Sequence, residues 1–273
     1  MKTIGLVQPI FSPNAAQAER NLKSIRSLAA HLATFPTSGL SLTFGGWGVE
    51  PFLNETEREI RSLFGTFGPT IVLFERNFGK AFVVNSLVSD ISRKGQLPDL
   101  LFLIDSDIIF SAAQPRIFDR IRSLCSAFVS RAGKPFGIMA LDQNEGCVHN
   151  AGARKNPTTF VTGSQEEVVF LPDGPSGIGG GCIVCSIDAW VAVNGYRQMG
   201  VYAGDDAYLF RDIFDAGFSC GLCSTIRIIH PPDPDPDYGK WKKMVCYRDS
   251  DGSNRHDLSE HADEAEQFWK RNA

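Results

Sequence analysis

Residues 105–107, Asp-Ser-Asp, are where side-chain type and spacing first suggest chemistry. Side chains two apart on an extended chain project to the same side. Carboxylates placed so suit a hard divalent cation, Mg²⁺ or Mn²⁺, held against phosphate oxygens. The same triplet taken alone also reads as a solvated turn. Two further spacings invite a metal: Cys182-x-x-Cys185 and Cys220-x-x-Cys223 could make a tetrahedral zinc site. Both fall in strand-like sequence, however, and residues three apart on a strand face opposite ways, so buried free thiols are the expectation.

Positioning Asp105 and Asp107 needs a rigid element before them. Leu100 to Ile104 is an unbroken apolar run, as in a strand covered on both faces of a parallel sheet. In an open α/β sheet the carboxyl ends of such strands are where ligands bind. Upstream the pattern alternates. Residues 3–8 read as a strand ended by Pro9, and Ser12-Pro13-Asn14 opens a helix over 15–34. Residues 39–44 read as a second strand, Asn54 with Glu57 as a capping box for a helix to Phe64, and 69–75 as a third strand. Helices over 81–93 and 117–131 flank the apolar strand, and 135–141 is another strand. Strand and helix in turn predict βαβ units and a parallel sheet.

The second half is less regular. Residues 142–180 read as a loop-rich insert with short strands at 158–161 and 168–171. A strand at 182–186, a short helix at 187–193, a helix at 205–214, a strand at 219–229 and a terminal helix near 259–271 follow. With 273 residues, 43% hydrophobic and 21% charged, the chain suits one large domain, taken as 1–235 with a tail at 236–273 packed on it. A formal charge of -4 does not advertise nucleic acid. The N-terminal apolar run is too short for a signal peptide, no stretch approaches membrane-spanning length, and seven cysteines without a secretory signal favour reduced thiols, so a cytoplasmic chain is expected.

Five segments, in order, carry a family resemblance. Asn77-Phe78-Gly79-Lys80-Ala81 with Asn85 resembles the Asn-x-Gly-Lys-Ala…Asn segment of GT-A glycosyltransferases, and Leu101–Asp107 their Asp-x-Asp strand. Gly179–Cys182 through Val193-Asn194-Gly195-Tyr196 resembles their Gly-Gly strand, helix and turn. Gly204-Asp205-Asp206 through Arg211 resembles the helix that carries the catalytic base, and Ile228-Ile229-His230 the strand-end histidine. The resemblance covers residues 3–230 and is nearest the inverting group called glycosyltransferase family two. It implies an α/β GT-A (Rossmann-like) fold, a mostly parallel sheet flanked by helices, with 142–180 on the acceptor side.

The resemblance implies roles. A nucleotide sugar, with a UDP-sugar expected, would meet Gln8, Pro9, Trp47, Asn77, Lys80, Asp105, Ser106, Gly180 and Gly181. Mn²⁺ or Mg²⁺ would be held by Asp107 and His230, with Asp105 sharing the metal or facing the ribose. Asp206 would be the base, ionised by the unpaired N–H groups of its helix start, with Asp205 beside it. Structural alternatives stand next to these roles: a helix-capping acid for Asp205 and Asp206, a surface lysine for Lys80, a core aromatic for Trp47, a strand-closing residue for His230. Lys240, Lys242 and Lys243 around Trp241 read as a solvated charge run, or else as a lid over the diphosphate.

The chain also departs from the family. Thr43–Trp47 occupies the place of the usual base-binding Asp, and the Gln-x-x-Arg-Trp motif of processive synthases is absent. The acceptor stays open among saccharide, lipid, protein and a hydroxymethylated DNA base, for which Arg131, Lys134, Arg154, Lys155 and Lys240–Lys243 could supply phosphate contacts. Two alternatives remain. One is a sugar-nucleotide pyrophosphorylase, although Gln8–Asn14 lacks the Gly-rich basic loop that class shows after its first strand; the other is a non-catalytic nucleotide-sugar-binding module.

Overall fold

The computed structural model describes residues 2–33, 35–143, 158–161, 165–171, 174, 178, 180–198, 200–202, 205–232, 236–245, 263 and 267–269. Most of the 142–180 insert, Gly179, Gly204, Arg154, Lys155 and most of the expected terminal helix lie outside them. No helix of the described residues is long and apolar enough to cross a membrane.

The elements run β1 (Ile4–Ser12), α1 (Ala15–Leu32), β2 (Leu40–Gly48), α2 (Phe52–Phe64), β3 (Thr70–Leu73), α3 (Gly79–Arg93), β4 (Leu100–Ile104), β5 (Ile109–Phe110), α4 (Ile117–Ala132), β6 (Phe136–Gln143), β7 (Thr158–Val161) and β8 (Glu167–Phe170). They continue with β9 (Cys182–Ser186), α5 (Ile187–Val193), α6 (Asp205–Asp215), β10 (Ser219–Ile229) and α7 (Pro236–Val245). Ten strands form one sheet in the order β3-β2-β1-β4-β9-β6-β10-β8-β7, with β5 added on β10. β3, β2, β1 and β4 are parallel, as are β6 and β10, and β9 lies antiparallel between β4 and β6. This is the α/β, Rossmann-like architecture that the alternation predicts.

Each face of the sheet carries its own core. Leu100, Phe102 and Ile104 of β4 pack with Ile25 and Leu28 of α1, Ile60 of α2 and Leu124 of α4. Leu101 and Leu103 point the other way, onto Val84 and Leu87 of α3, Trp190 of α5 and Leu209 of α6. All five β4 residues are buried, which is why the strand reads as an apolar run rather than an alternation. Removing a side chain such as Phe102 from this core would cost about 3–5 kcal/mol.

Three local expectations are corrected. Pro9 does not end β1, which continues to Ser12. Thr3 O accepts from Leu100 N and Ser12 O from Val49 N, so odd-numbered β1 residues face β4 and even-numbered ones β2. Pairing with β4 stops at Val7, so the donor that Pro9 lacks faces a side without a partner strand. β2 runs on through Gly45, Gly46 and Trp47 because it stays in register with this extension of β1. The Asn54/Glu57 capping box does not form: α2 starts at Phe52 behind Pro51 with no side-chain cap, and Glu57 pairs with Arg61 at 2.6 Å. Asn14 does cap α1, accepting from Gln17 N. Helix α7 and strand β5 have no counterpart in the sequence reading.

Candidate active site

The turn that carries Asp105 and Asp107 is tied down from both sides. Asp105 N donates to Gly181 O at the start of β9 (2.8 Å), and Asp105 O accepts from Gln8 Nε2 (3.1 Å). Gln8 is fully buried and also donates to Ser24 Oγ of α1. It therefore sits beneath the site as a brace and does not line the cavity described below.

Asp107 is served by residues distant in sequence. Arg20 Nη2 lies 2.9 Å from Asp107 Oδ2 and also donates to Pro231 O, while His230 Nε2 lies 3.3 Å from the same oxygen. Burial alone would raise the Asp107 pKa, yet His230 and Arg20 outweigh it and the net direction is down. Sequence reasoning missed Arg20. A signal existed: Gln17, Arg20, Asn21 and Ser24 form a polar stripe at helical spacing on α1, and all four are buried. Asn21 Nδ2 donates to Phe11 O and Ser12 Oγ, and so spends that stripe on the end of β1.

The start of α3 delivers a lysine. Asn77 Oδ1 accepts from Gly79 N, and Gly79 has φ +83, with a notional Cβ 2.2 Å from Val201 O, so only glycine fits there. Lys80 Nζ then reaches Asp105 Oδ1 (2.7 Å) and Asp206 Oδ1 (2.8 Å). Desolvation would lower the Lys80 pKa, but the two carboxylates win and hold it well above its ordinary value. Asp105 shifts upward, first by burial and then by repulsion from Asp206 and Asp107, against the pull of Lys80.

Asp206 opens α6. Among the described residues its side chain meets Lys80 and the Tyr196 hydroxyl, which donates to Oδ1 at 3.0 Å. Tyr196 is itself fixed: Asn85 bonds both its N–H and its C=O, and its ring stands edge-on to Trp190. Gly180 lies flat against the Asp206 carboxylate, so close that a Cβ would come 1.7 Å from Asp206 Cγ. Asp205 turns the other way into the interior. It is 5% exposed, its Oδ1 has no hydrogen-bond partner among the described residues, and burial followed by the nearby Asp206 pushes its pKa up to about 8.

One cavity takes in Pro9, Trp47, Asn77, Lys80, Asp105, Ser106, Asp107 and His230. Gly180, Gly181 and Asp206 adjoin it through Lys80 and Asp105. The cavity is also lined by residues the sequence reading left out or set aside: Phe11, Tyr202, Tyr238, Trp241 and Lys242. Lys242 is thus not part of a solvated run, although Lys240 is exposed and pairs with Asp237. The Lys243 and Arg131 side chains lie outside the described residues, and Lys134 sits over the Phe214 ring.

No three His, Cys, Asp or Glu among the described residues already converge on one point. The donors nevertheless suit a hard cation: Asp107 Oδ1 is buried without a hydrogen-bond partner among the described residues, and Asp105, Asp107 and His230 share the cavity wall. The thiols lie elsewhere. Cys182 and Cys223 pack in one core layer and Cys185 and Cys220 in the other, as strand parity requires, and burial raises the pKa of each.

No family model and no curated protein matches the sequence. Solved structures do match in shape. A mannosyltransferase from Pyrobaculum calidifontis, in complex with GDP-Man and Mn²⁺, superposes with a TM-score of 0.59 at 12% identity, over 89% of this chain and 61% of that one. TarS residues 1–349 from S. aureus, in complex with UDP, superposes with a TM-score of 0.57 at 10% identity, over 88% and 63%. The chain spans less than two thirds of the length of either. At such identities the likeness speaks for architecture, and the architecture is the GT-A-like glycosyltransferase fold.

Proposed function

We propose that this chain is a glycosyltransferase that moves a sugar from a nucleoside-diphosphate sugar to an acceptor hydroxyl in one inverting displacement. The observation that carries the reading is Lys80, whose amine joins Asp105 on the β4 turn to Asp206 at the start of α6. A carboxylate on the cavity wall and a carboxylate beside it able to take a proton are thereby held by one amine. Asp206 accepts the proton of the acceptor hydroxyl, the acceptor oxygen bonds to the anomeric carbon, and the bond from that carbon to the diphosphate breaks. Tyr196 and Gly180 hold the Asp206 carboxylate in place, and Lys80 carries positive charge next to the departing phosphate. Asp107 and His230, with Asp105 beside them, are the residues that would hold Mn²⁺ or Mg²⁺, which when bound neutralises charge on the leaving diphosphate.

The fold supports this reading, as do the ligands of the two similar structures. A UDP-sugar is the first donor to test. The acceptor is a hydroxyl on a saccharide, lipid, protein or hydroxymethylated DNA base. The test incubates the protein with Mn²⁺ and UDP-, GDP-, CDP- or ADP-sugars, with water or candidate alcohols as acceptor, and follows release of the nucleoside diphosphate. Release from at least one donor, and a product whose anomeric configuration is inverted by NMR, is the expected result. A retained configuration would refute the single displacement, and formation of a nucleoside triphosphate and a sugar 1-phosphate when pyrophosphate is added would point to a pyrophosphorylase.

A further inference from the structure

Helix α7 lies beyond the last segment that resembles a known family, yet it forms one wall of the cavity. Its anchor is Trp241, 3% exposed, packed with Trp47, Val201, Val245 and Trp269. Trp241, Phe11 and Trp47 follow one another at small interplanar angles, and Tyr238 packs beside both Trp241 and Phe11, 6.2 Å from the latter. Tyr238 and Trp241 are 5.6 Å apart at 14°, Trp241 and Phe11 4.9 Å at 25°, and Phe11 and Trp47 5.7 Å at 22°. The row joins α7 to the ends of β1, which pairs with β4, and of β2, the next strand out. The next residue, Lys242, projects toward the cavity. Its ammonium lies 4.6 Å from the Tyr238 ring centroid and 5.4 Å from that of Tyr202, on the wall it shares with Asp107 and His230.

Two neighbouring positions thus supply part of an aromatic cavity wall and a cation held by aromatic rings. A nucleoside diphosphate can use both, since its base packs on aromatic side chains and its phosphates require positive charge. No carboxylate stands at the end of β2 to read the edge of a base, as Gly45-Gly46-Trp47-Gly48 fills that place. A separate observation marks the cavity as a ligand site. Asn77, 6% exposed, lines it, and its Nδ2 is buried with no hydrogen-bond partner among the described residues.

We propose that α7 belongs to the donor-binding surface: Lys242 binds the diphosphate, and the row Trp241–Phe11–Trp47 is the wall against which the nucleobase lies. This rests on the nucleotide-sugar reading above and adds to it a binding element outside the resemblance.

The test compares UDP and uridine on wild type, Lys242→Met and Lys242→Arg. UDP affinity is measured by calorimetry with Mn²⁺, and uridine binding by ligand-observed NMR. Thermal midpoints confirm that each variant is folded. Lys242→Met should weaken UDP about 10–100-fold, the scale of a lost charged hydrogen bond, and leave uridine within about twofold. Lys242→Arg should restore most of the UDP affinity. Tryptophan fluorescence should change when UDP binds, and Trp241→Phe should reduce that change. Equal weakening of UDP and uridine, or unchanged UDP affinity in Lys242→Met, overturns the role of α7 while leaving the nucleotide-sugar reading intact. If wild type binds none of UDP, GDP, CDP and ADP, both fall together.

Discussion

The site holds two acid pairs that differ in how the backbone presents them. Asp105 and Asp107 sit on the turn that follows β4, closed by Ile108 N donating to Asp105 O, and both line the cavity. Asp205 and Asp206 are consecutive at a helix start, where neighbours diverge by about 100°. One faces the site and the other the core. The turn pair is separated by its partners: Lys80 takes Asp105, whereas Arg20 and His230 take Asp107. The helix pair is separated by solvent exposure: Asp206 keeps polar partners, while Asp205 is buried and its Oδ1 has no hydrogen-bond partner among the described residues. Two acids side by side in sequence are therefore no guarantee of two acids in one site, and the secondary structure beneath them decides which.

That contrast can be broken at its strongest point first. Asp206→Asn keeps the shape and removes the basic oxygen. Transfer should fall by about 100-fold or more while nucleotide affinity stays within a few-fold, and single-turnover rates beside calorimetry separate the two effects. An Asp206→Asn protein that transfers sugar at the wild-type rate would end its role as base.

The turn pair should respond in binding instead. Asp107→Asn should weaken Mn²⁺-dependent UDP binding by about tenfold or more by calorimetry, and His230→Ala should weaken it less. Asp107→Ala is the harsher change. It removes the carboxylate that neutralises the buried Arg20 guanidinium, at a cost on the order of 3 kcal/mol in denaturant unfolding. Unchanged metal-dependent affinity in Asp107→Asn would remove it as a ligand.

The smallest effect concerns Asp205 and is one of stability. Its folded pKa of about 8 lies above the ordinary aspartate value of 3.8, so the folded state binds this proton more tightly than the unfolded state. Stability from the protonated group is fully present below about pH 4 and is lost as pH rises through about 8. Asp205→Asn should flatten that slope, gaining at least about 1 kcal/mol at pH 8 relative to pH 5 against wild type. Parallel pH profiles in the two proteins would show that Asp205 titrates normally.

Much of this was legible in the sequence because two simple periods wrote it. The apolar run 100–104, the parity of the cysteines and the order of strand and helix through β6 follow from which faces are covered. Asp105, Asp107, Lys80 and Asp206 were found because resemblance ordered them, and the geometry brings all four together. The residues missed share a different cause. Arg20 is paired across 87 positions, Tyr196 acts through its hydroxyl on a residue of another element, and Trp241 and Lys242 sit in a stretch that reads as a solvated run or else as a lid. The polar stripe on α1 marks Arg20 as buried, but a local period does not name a long-range partner. Pro9 shows the converse: a local rule was sound, yet the neighbouring strand had already ended where the missing donor would have counted.

The antiparallel strand β9 has a consequence for how this protein is made. It fits between β4 and β6, pairing Leu101 with Cys185 and Met139 with Val184. The sheet beside the cavity is thus stitched by contacts about 84 and 45 residues apart, which raises contact order and slows folding. During synthesis the chain emerges from its N-terminus, so Asp105 and Asp107 leave the ribosome long before Gly181, whose carbonyl anchors their turn. A nascent chain arrested before residue 182 carries both turn acids without the strand that fixes them. Pulsed hydrogen exchange on refolding protein should accordingly show amides of β1 and β2 protected early and the Asp105 amide protected only once β9 has docked.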